Sequence, residues 1–276
     1  LRAGAGSVIN IEGEPGVGKS RMVAELKLAA RQAGVECLLG HADAIERNTT
    51  YFAWREILRQ FLEQVSASDA AALRAYLETR FESEPILRTW LPLLNDVLAL
   101  GFAESAVTAQ MNEQARAEST SELLVHILRQ AAANIPLVIV LEDAHWMDSM
   151  SWNLAARLAQ RMAPVLLVLV MRTGQVPDSA AGKDLLGLAG DARIVLAPLS
   201  RADTEALVCD RLGVQGIPPE VMSLIHGKTD GHPLFSEELC YALRDSGYLR
   251  IDRGQCVIAA DAEGLGAPNL PATIEG

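Results

Sequence analysis

Residues 13–20 read GEPGVGKS and satisfy the pattern GxxxxGK[ST]. The stretch follows a short β-type run, SVINIE at 7–12, and leads into MVAELKLAARQ at 22–32, where Met22, Val23, Leu26, Ala29 and Ala30 recur at helical spacing. A strand, a glycine loop and a helix in that order give the pattern its meaning. Gly16 and Gly18 lack a Cβ, so backbone N–H groups can turn inward around phosphate oxygens, and the helix N-terminus adds partial positive charge. Lys19 is then placed to reach β- and γ-phosphates, and the Ser20 hydroxyl to coordinate Mg²⁺. The nucleotide-binding residues read from this stretch are Gly13, Glu14, Pro15, Gly16, Val17, Gly18, Lys19, Ser20 and Arg21. The alternative is a glycine-rich turn that only joins strand to helix, which leaves the placing of Lys19 and Ser20 to accident.

Beyond the loop, Gly34 ends the helix and VECLL at 35–39 reads as a second strand, completing a βαβ unit and hence a parallel sheet. No strand pattern appears from 42 to 134. Helical patterns at 54–65, 70–81 and 118–133 make this an insertion. LVIVL at 137–141 is a third strand, continuously apolar as a strand buried on both faces should be. A helix at 149–161, with Asp148 or Ser149 as N-cap, leads to a fourth strand at 165–171, and 193–196 makes a short fifth. After Pro198 the pattern predicts helices only: 201–212 capped by Ser200, 219–226 opened by a proline, and 235–246. These shifts predict a core at 1–200 containing the insertion, then a helical subdomain at 201–276 that is cut short at its C-terminal end.

The third strand ends abruptly in carboxylates, in VIVLEDAHWMD at 138–148. Ligands of open α/β sheets bind outside the carboxyl ends of strands, where an acid can hold Mg²⁺ and another can polarise the attacking water. Glu142 and Asp143 occupy that place. They are the candidate catalytic residues and, with Ser20, the candidate metal ligands; which acid takes which role stays open. In isolation, two acids would equally mark where a strand meets solvent. Arg172, directly after the fourth strand, senses the γ-phosphate, stabilises transition-state charge, or is simply a strand-end residue exposed to solvent; all three readings stay open. His145 either relays the state of the site or is a structural histidine beside Trp146.

The 276 residues are 50% hydrophobic, enough for a sizeable core, and carry a net charge of −11, which argues against this segment gripping a phosphate backbone by itself. The apolar runs at 137–141 and 165–171 are far shorter than the roughly 20 residues that cross a bilayer. No leader opens the chain, so a cytoplasmic location without membrane contact is expected. Cys37, Cys209, Cys240 and Cys256 are scattered without metal-ligand spacing and read as small buried hydrophobes. LRAGAGSV at the start and NLPATIEG at the end, the latter resembling the start of another element, suggest a piece of a longer protein.

In this order, GEPGVGKSRMVAEL, VIVLEDAHWMD, the strand ending in MRT, APLSRADTEALV and TDGHPLFSEELC resemble the STAND class of signal-transduction ATPases, which are related to AAA+ proteins. The likeness is to modules found beside bacterial nucleotide cyclase, protein kinase or LuxR-type DNA-binding domains. It implies an α/β P-loop NTPase fold with a five-stranded parallel sheet in order 5-1-4-3-2 and a C-terminal helical lid bundle. It implies ATP or ADP with Mg²⁺ as ligands, weak ATPase activity used as a switch, attached sensor and output domains, and nucleotide-dependent self-association. Gly231-His232-Pro233 matches the class's GxP element, which implies that Pro233 lies against the adenine; a Gly-Pro turn opening a helix also fits. Glu142 is one methylene longer than the Asp usual there. The glycine-arginine-glutamate stretch that precedes the first strand in the class has no counterpart before Ser7, which puts part of the adenine pocket outside this sequence. Two other functions remain open: a nucleotide-free interaction scaffold, and an AAA+ DNA-remodelling ATPase.

Overall fold

A computed structural model of the chain describes residues 7–65, 69–132, 136–161, 165–190, 192–252 and 254–259. The segments read as cut ends, 1–6 and 269–276, lie outside these residues. In chain order the first elements are β1 (Ser7–Glu12), α1 (Lys19–Gln32), β2 (Glu36–His41), α2 (Phe52–Val65), α3 (Ala70–Arg80), α4 (Pro85–Trp90), α5 (Asn95–Leu98) and α6 (Glu113–Ala132). Then come β3 (Leu137–Glu142), α7 (Ser149–Arg161), β4 (Val165–Met171), α8 (Ala180–Ala189) and β5 (Arg193–Val195). The remainder holds α9 (Arg201–Leu212), α10 (Pro219–Thr229), α11 (Pro233–Asp245), β6 (Leu249–Asp252) and β7 (Gln255–Ile258). Among the described residues, no helix is long and apolar enough to cross a membrane.

The chain forms two compact units. One gathers the described residues up to Glu12 with Ser20–Val195; the other gathers Gly13–Lys19 with the described residues from Leu196 on. The loop 13–19 thus packs with the C-terminal residues, although it lies between β1 and α1 in sequence.

In the first unit, five parallel strands run in the order β2-β3-β4-β1-β5, the order the resemblance implies. Every residue of β3 from Leu137 to Leu141 is buried, and only Glu142 begins to emerge. The apolar run therefore continues until the strand leaves the core, and the first residue to meet solvent is an acid. Helix α2 buries Trp54, Ile57, Leu58 and Leu62, and the Trp54 indole donates to Ser151 O at 3.1 Å, tying the insertion to α7.

The edge strand β5 is three residues long and none of its side chains is buried, so apolar burial contributes little to holding it. Arg193 instead donates twice to Glu12, at 2.9 and 2.8 Å, and Asn10 Nδ2 donates to the same carboxylate at 2.6 Å. Glu12 is 7% exposed, and three donors satisfy a charge that would otherwise be costly to bury. Neither residue stands out in the sequence.

Of the two candidate caps for α7, the structure selects Asp148. Its Oδ1 accepts from Met150 N and Ser151 N at 2.9 and 3.0 Å, and its Oδ2 accepts from Ser151 Oγ at 2.5 Å. Asp148→Ala is expected to cost about 1 to 2 kcal/mol, read as a lowered urea midpoint, while Ser149→Ala leaves the midpoint nearly unchanged.

In the second unit, Val208, Leu212, Val221, Met222, Ile225, Leu239, Cys240 and Leu243 from α9, α10 and α11 form the core. The expectation of helices only after Pro198 is corrected here. β6 and β7 form an antiparallel hairpin that adds Leu249 and Cys256 to this core. Its strands are four residues long, too short for an alternating pattern to stand out, and the signal that marks the turn is Gly254 at φ +78°. Helix α11 also starts earlier than expected, at Pro233, and α10 runs on to Thr229. All four cysteines are free; Cys240 and Cys256 are buried, whereas Cys37 and Cys209 are only half-buried. Burial pushes the Cys240 thiol up to about 12, which keeps it protonated and inert.

Candidate functional site

The loop between β1 and α1 takes its shape from two glycines in the left-handed region, Gly16 at φ +78° and Gly18 at φ +108°. Lys19 Nζ donates to Gly13 O at 2.7 Å and Glu14 O at 2.9 Å, so the ammonium lies back along the loop it follows. Val17 is buried and its N–H donates to Glu14 O, which closes the turn. Pro15 O accepts from His232 Nε2 at 2.8 Å, and a Cβ on Gly16 would stand 2.7 Å from His232 Cε1. Sequence reasoning alone does not single out His232: it lies 217 positions from its partner, and no local pattern announces the contact.

In the first unit, Ser20 Oγ donates to Glu142 Oε2 at 3.3 Å, joining two candidate metal ligands that are 122 residues apart. The β2–β3 register sets His41 opposite Glu142, and His41 Nε2 lies 3.9 Å from Asp143 Oδ2. Asp143 stands at φ 50°, ψ 36°, a left-handed conformation that costs a non-glycine residue roughly 1 to 2 kcal/mol. It precedes a short turn, Ala144–Trp146, yet its carboxylate makes no capping hydrogen bond. Strain of this kind clusters where a side chain must be aimed. The His145 ring packs on Trp146, centroids 4.9 Å apart.

Arg172 follows β4 directly and is exposed; β4 runs between β1 and β3, with Met171 in register with Glu12. Arg21 is exposed and pairs with Glu25 at 2.9 Å along α1. Pro233 is the first residue of α11, the position where proline's missing N–H costs nothing.

The residues fit Mg²⁺ and a nucleotide phosphate. The Ser20 hydroxyl and the Glu142 carboxylate supply the hard oxygen ligands this cation takes, and among the described residues no cluster of three or more His, Cys, Asp or Glu forms an all-protein cage. Mg²⁺ is held in just this way, by one or two carboxylates with waters and substrate phosphates. The glycine loop ahead of α1 ends at a helix N-terminus, the kind of backbone that fits phosphate oxygens.

Comparison with known proteins gives a consistent result. Residues 1–170 match the family model described as AAA ATPase domain, and residues 200–257 match a domain of unknown function. An uncharacterized protein of Rhizobium meliloti is 29% identical over 255 residues, covering 86% of this chain and 23% of that protein. Adenylate cyclase type 10 of Mus musculus is 22% identical over 240 residues, covering 87% of this chain and 15% of that protein. The chain thus spans less than a quarter of either relative. Among solved structures, Cdc6p from Pyrobaculum aerophilum superposes with a TM-score of 0.51 at 14% identity, covering 88% of this chain and 57% of that one, a likeness of fold.

Proposed function

We propose, since this chain belongs to the AAA ATPase domain family, that it is an ATP-binding, slowly hydrolysing switch module that regulates an attached output domain. The observation that carries the reading is the 3.3 Å contact between Ser20 and Glu142, a hydroxyl and a carboxylate at one point, beside the chain position of Lys19.

In this reading Lys19 leaves the Gly13 and Glu14 carbonyls to bind the β- and γ-phosphates, while the N–H groups of residues 16–20 cradle them. Ser20 and Glu142 hold Mg²⁺, which when bound offsets the charge of the phosphates. Asp143, aimed by its backbone and not spent on a cap, orients and deprotonates the attacking water, with His41 beside it to steady the carboxylate. Arg172, at the end of the strand between β1 and β3, faces the γ-phosphate. Pro233 rests against the adenine. The remaining features of the reading are a cytoplasmic setting, sensor and output domains on the same polypeptide, and nucleotide-dependent self-association. Support for a regulatory setting comes from relatives several times longer than this chain, one of them an adenylate cyclase.

Titration of the full chain with fluorescent ATP tests the reading. Saturable binding in Mg²⁺ that weakens at least tenfold in chelator is the expected outcome, and no binding in Mg²⁺ overturns the proposal.

A further inference from the structure

The phosphate-binding loop is held from the far end of the chain. His232 sits at the N-cap position of α11 but makes no capping bond, and its ring stacks on Phe235 with centroids 4.3 Å apart and planes 26° from parallel. The backbone beneath it is fixed. His232 N donates to Thr229 O and Leu199 N donates to Gly231 O, both at 2.8 Å, and a Cβ on Gly231 would collide with Leu199 O at 2.0 Å. The Pro15 carbonyl can only accept, so Nε2 carries a proton in the 2.8 Å bond, while Nδ1 is buried without a partner among the described residues. Gly16 lets the ring and Leu234 come this close, since a Cβ there would meet both at 3.0 Å or less.

We propose that His232 is a positioning residue that preorganises the phosphate-binding loop: its Nε2–H fixes the Pro15 carbonyl and thereby the run of N–H groups that follows. The inference rests on the reading that this loop binds nucleotide phosphates, and it adds a residue to that site. A loop fixed before binding loses less conformational freedom when phosphates arrive. The bond also makes the start of α11 sensitive to any shift of the loop.

Hydrogen exchange of peptides covering residues 13–20, measured on the nucleotide-free full chain, tests this without relying on ATP. His232→Phe keeps a ring against Phe235 but has no N–H donor, and it is expected to speed exchange about tenfold, the weight of one hydrogen bond at about 1.4 kcal/mol. His232→Gln carries an amide N–H to nearly the same reach and stays within about threefold of the parent. His232→Asn, one methylene shorter, behaves like the Phe variant and carries the test alone if the Phe variant does not fold. Parent-like exchange in the Asn variant, or Gln as fast as Asn, overturns the proposal. A parent chain that binds no MgATP would sink the switch reading instead, and leave the exchange comparison to decide this one.

Discussion

Lys19→Ala is expected to weaken MgATP binding about a hundredfold, because an ammonium lost from phosphate oxygens forfeits charge-assisted hydrogen bonds of about 1.5 to 3 kcal/mol. The side chain stands at the first position of α1, after Gly18, and its Nζ bonds two carbonyls of the loop, so the ammonium is held at the loop and exchanges those carbonyls for phosphate oxygens in this reading. The fold should survive, because the side chain adds no apolar surface to either core. A competition titration separates the effects, because adenosine, which has no phosphates, should bind the variant and the parent equally. Equal affinity of both proteins for MgATP would mean that the loop is only a turn between β1 and α1.

Asp143→Asn is expected to leave MgATP affinity within a few-fold of the parent and to lower turnover by a factor of roughly 100 to 10,000, the range set by removing a general base. Glu142→Gln should act differently, raising the Mg²⁺ concentration needed for half-maximal binding. The two acids are consecutive, yet the structure divides them. Glu142 meets Ser20, the hydroxyl expected on the metal, while Asp143 is turned by its left-handed backbone toward His41. Phosphate release at saturating MgATP checks this. An inactive Glu142→Gln beside an active Asp143→Asn would exchange the roles.

Much of this arrangement is legible in the sequence because its determinants are local. GEPGVGKS needs only its own glycines and the helix behind it, and the apolar run of β3 states its own burial. The five strands follow from such runs, and their order from the resemblance. What the sequence hides is set by contacts between distant residues. Arg193 reaches Glu12 from 181 positions away, and His232 reaches Pro15 from 217, with no periodicity to connect either pair. The β6–β7 hairpin is hidden for another reason. LRID at 249–252 alternates over only four residues and QCVI at 255–258 does not alternate, so neither run is long or regular enough to stand out as a strand. The choice between Asp148 and Ser149 as cap waits on backbone geometry, which alone shows which oxygen meets the N–H groups.

If the module is a switch, the γ-phosphate must set its state. The direct measurement is hydrogen exchange of the full chain in saturating MgATP and in saturating MgADP, followed over residues 13–20 and 229–240, the two stretches joined by the His232–Pro15 bond. Protection in both stretches that differs between the two nucleotides, with the difference lost in Lys19→Ala, is the expected result. Identical exchange in ATP and ADP, with both nucleotides shown to be bound, would rule the switch out.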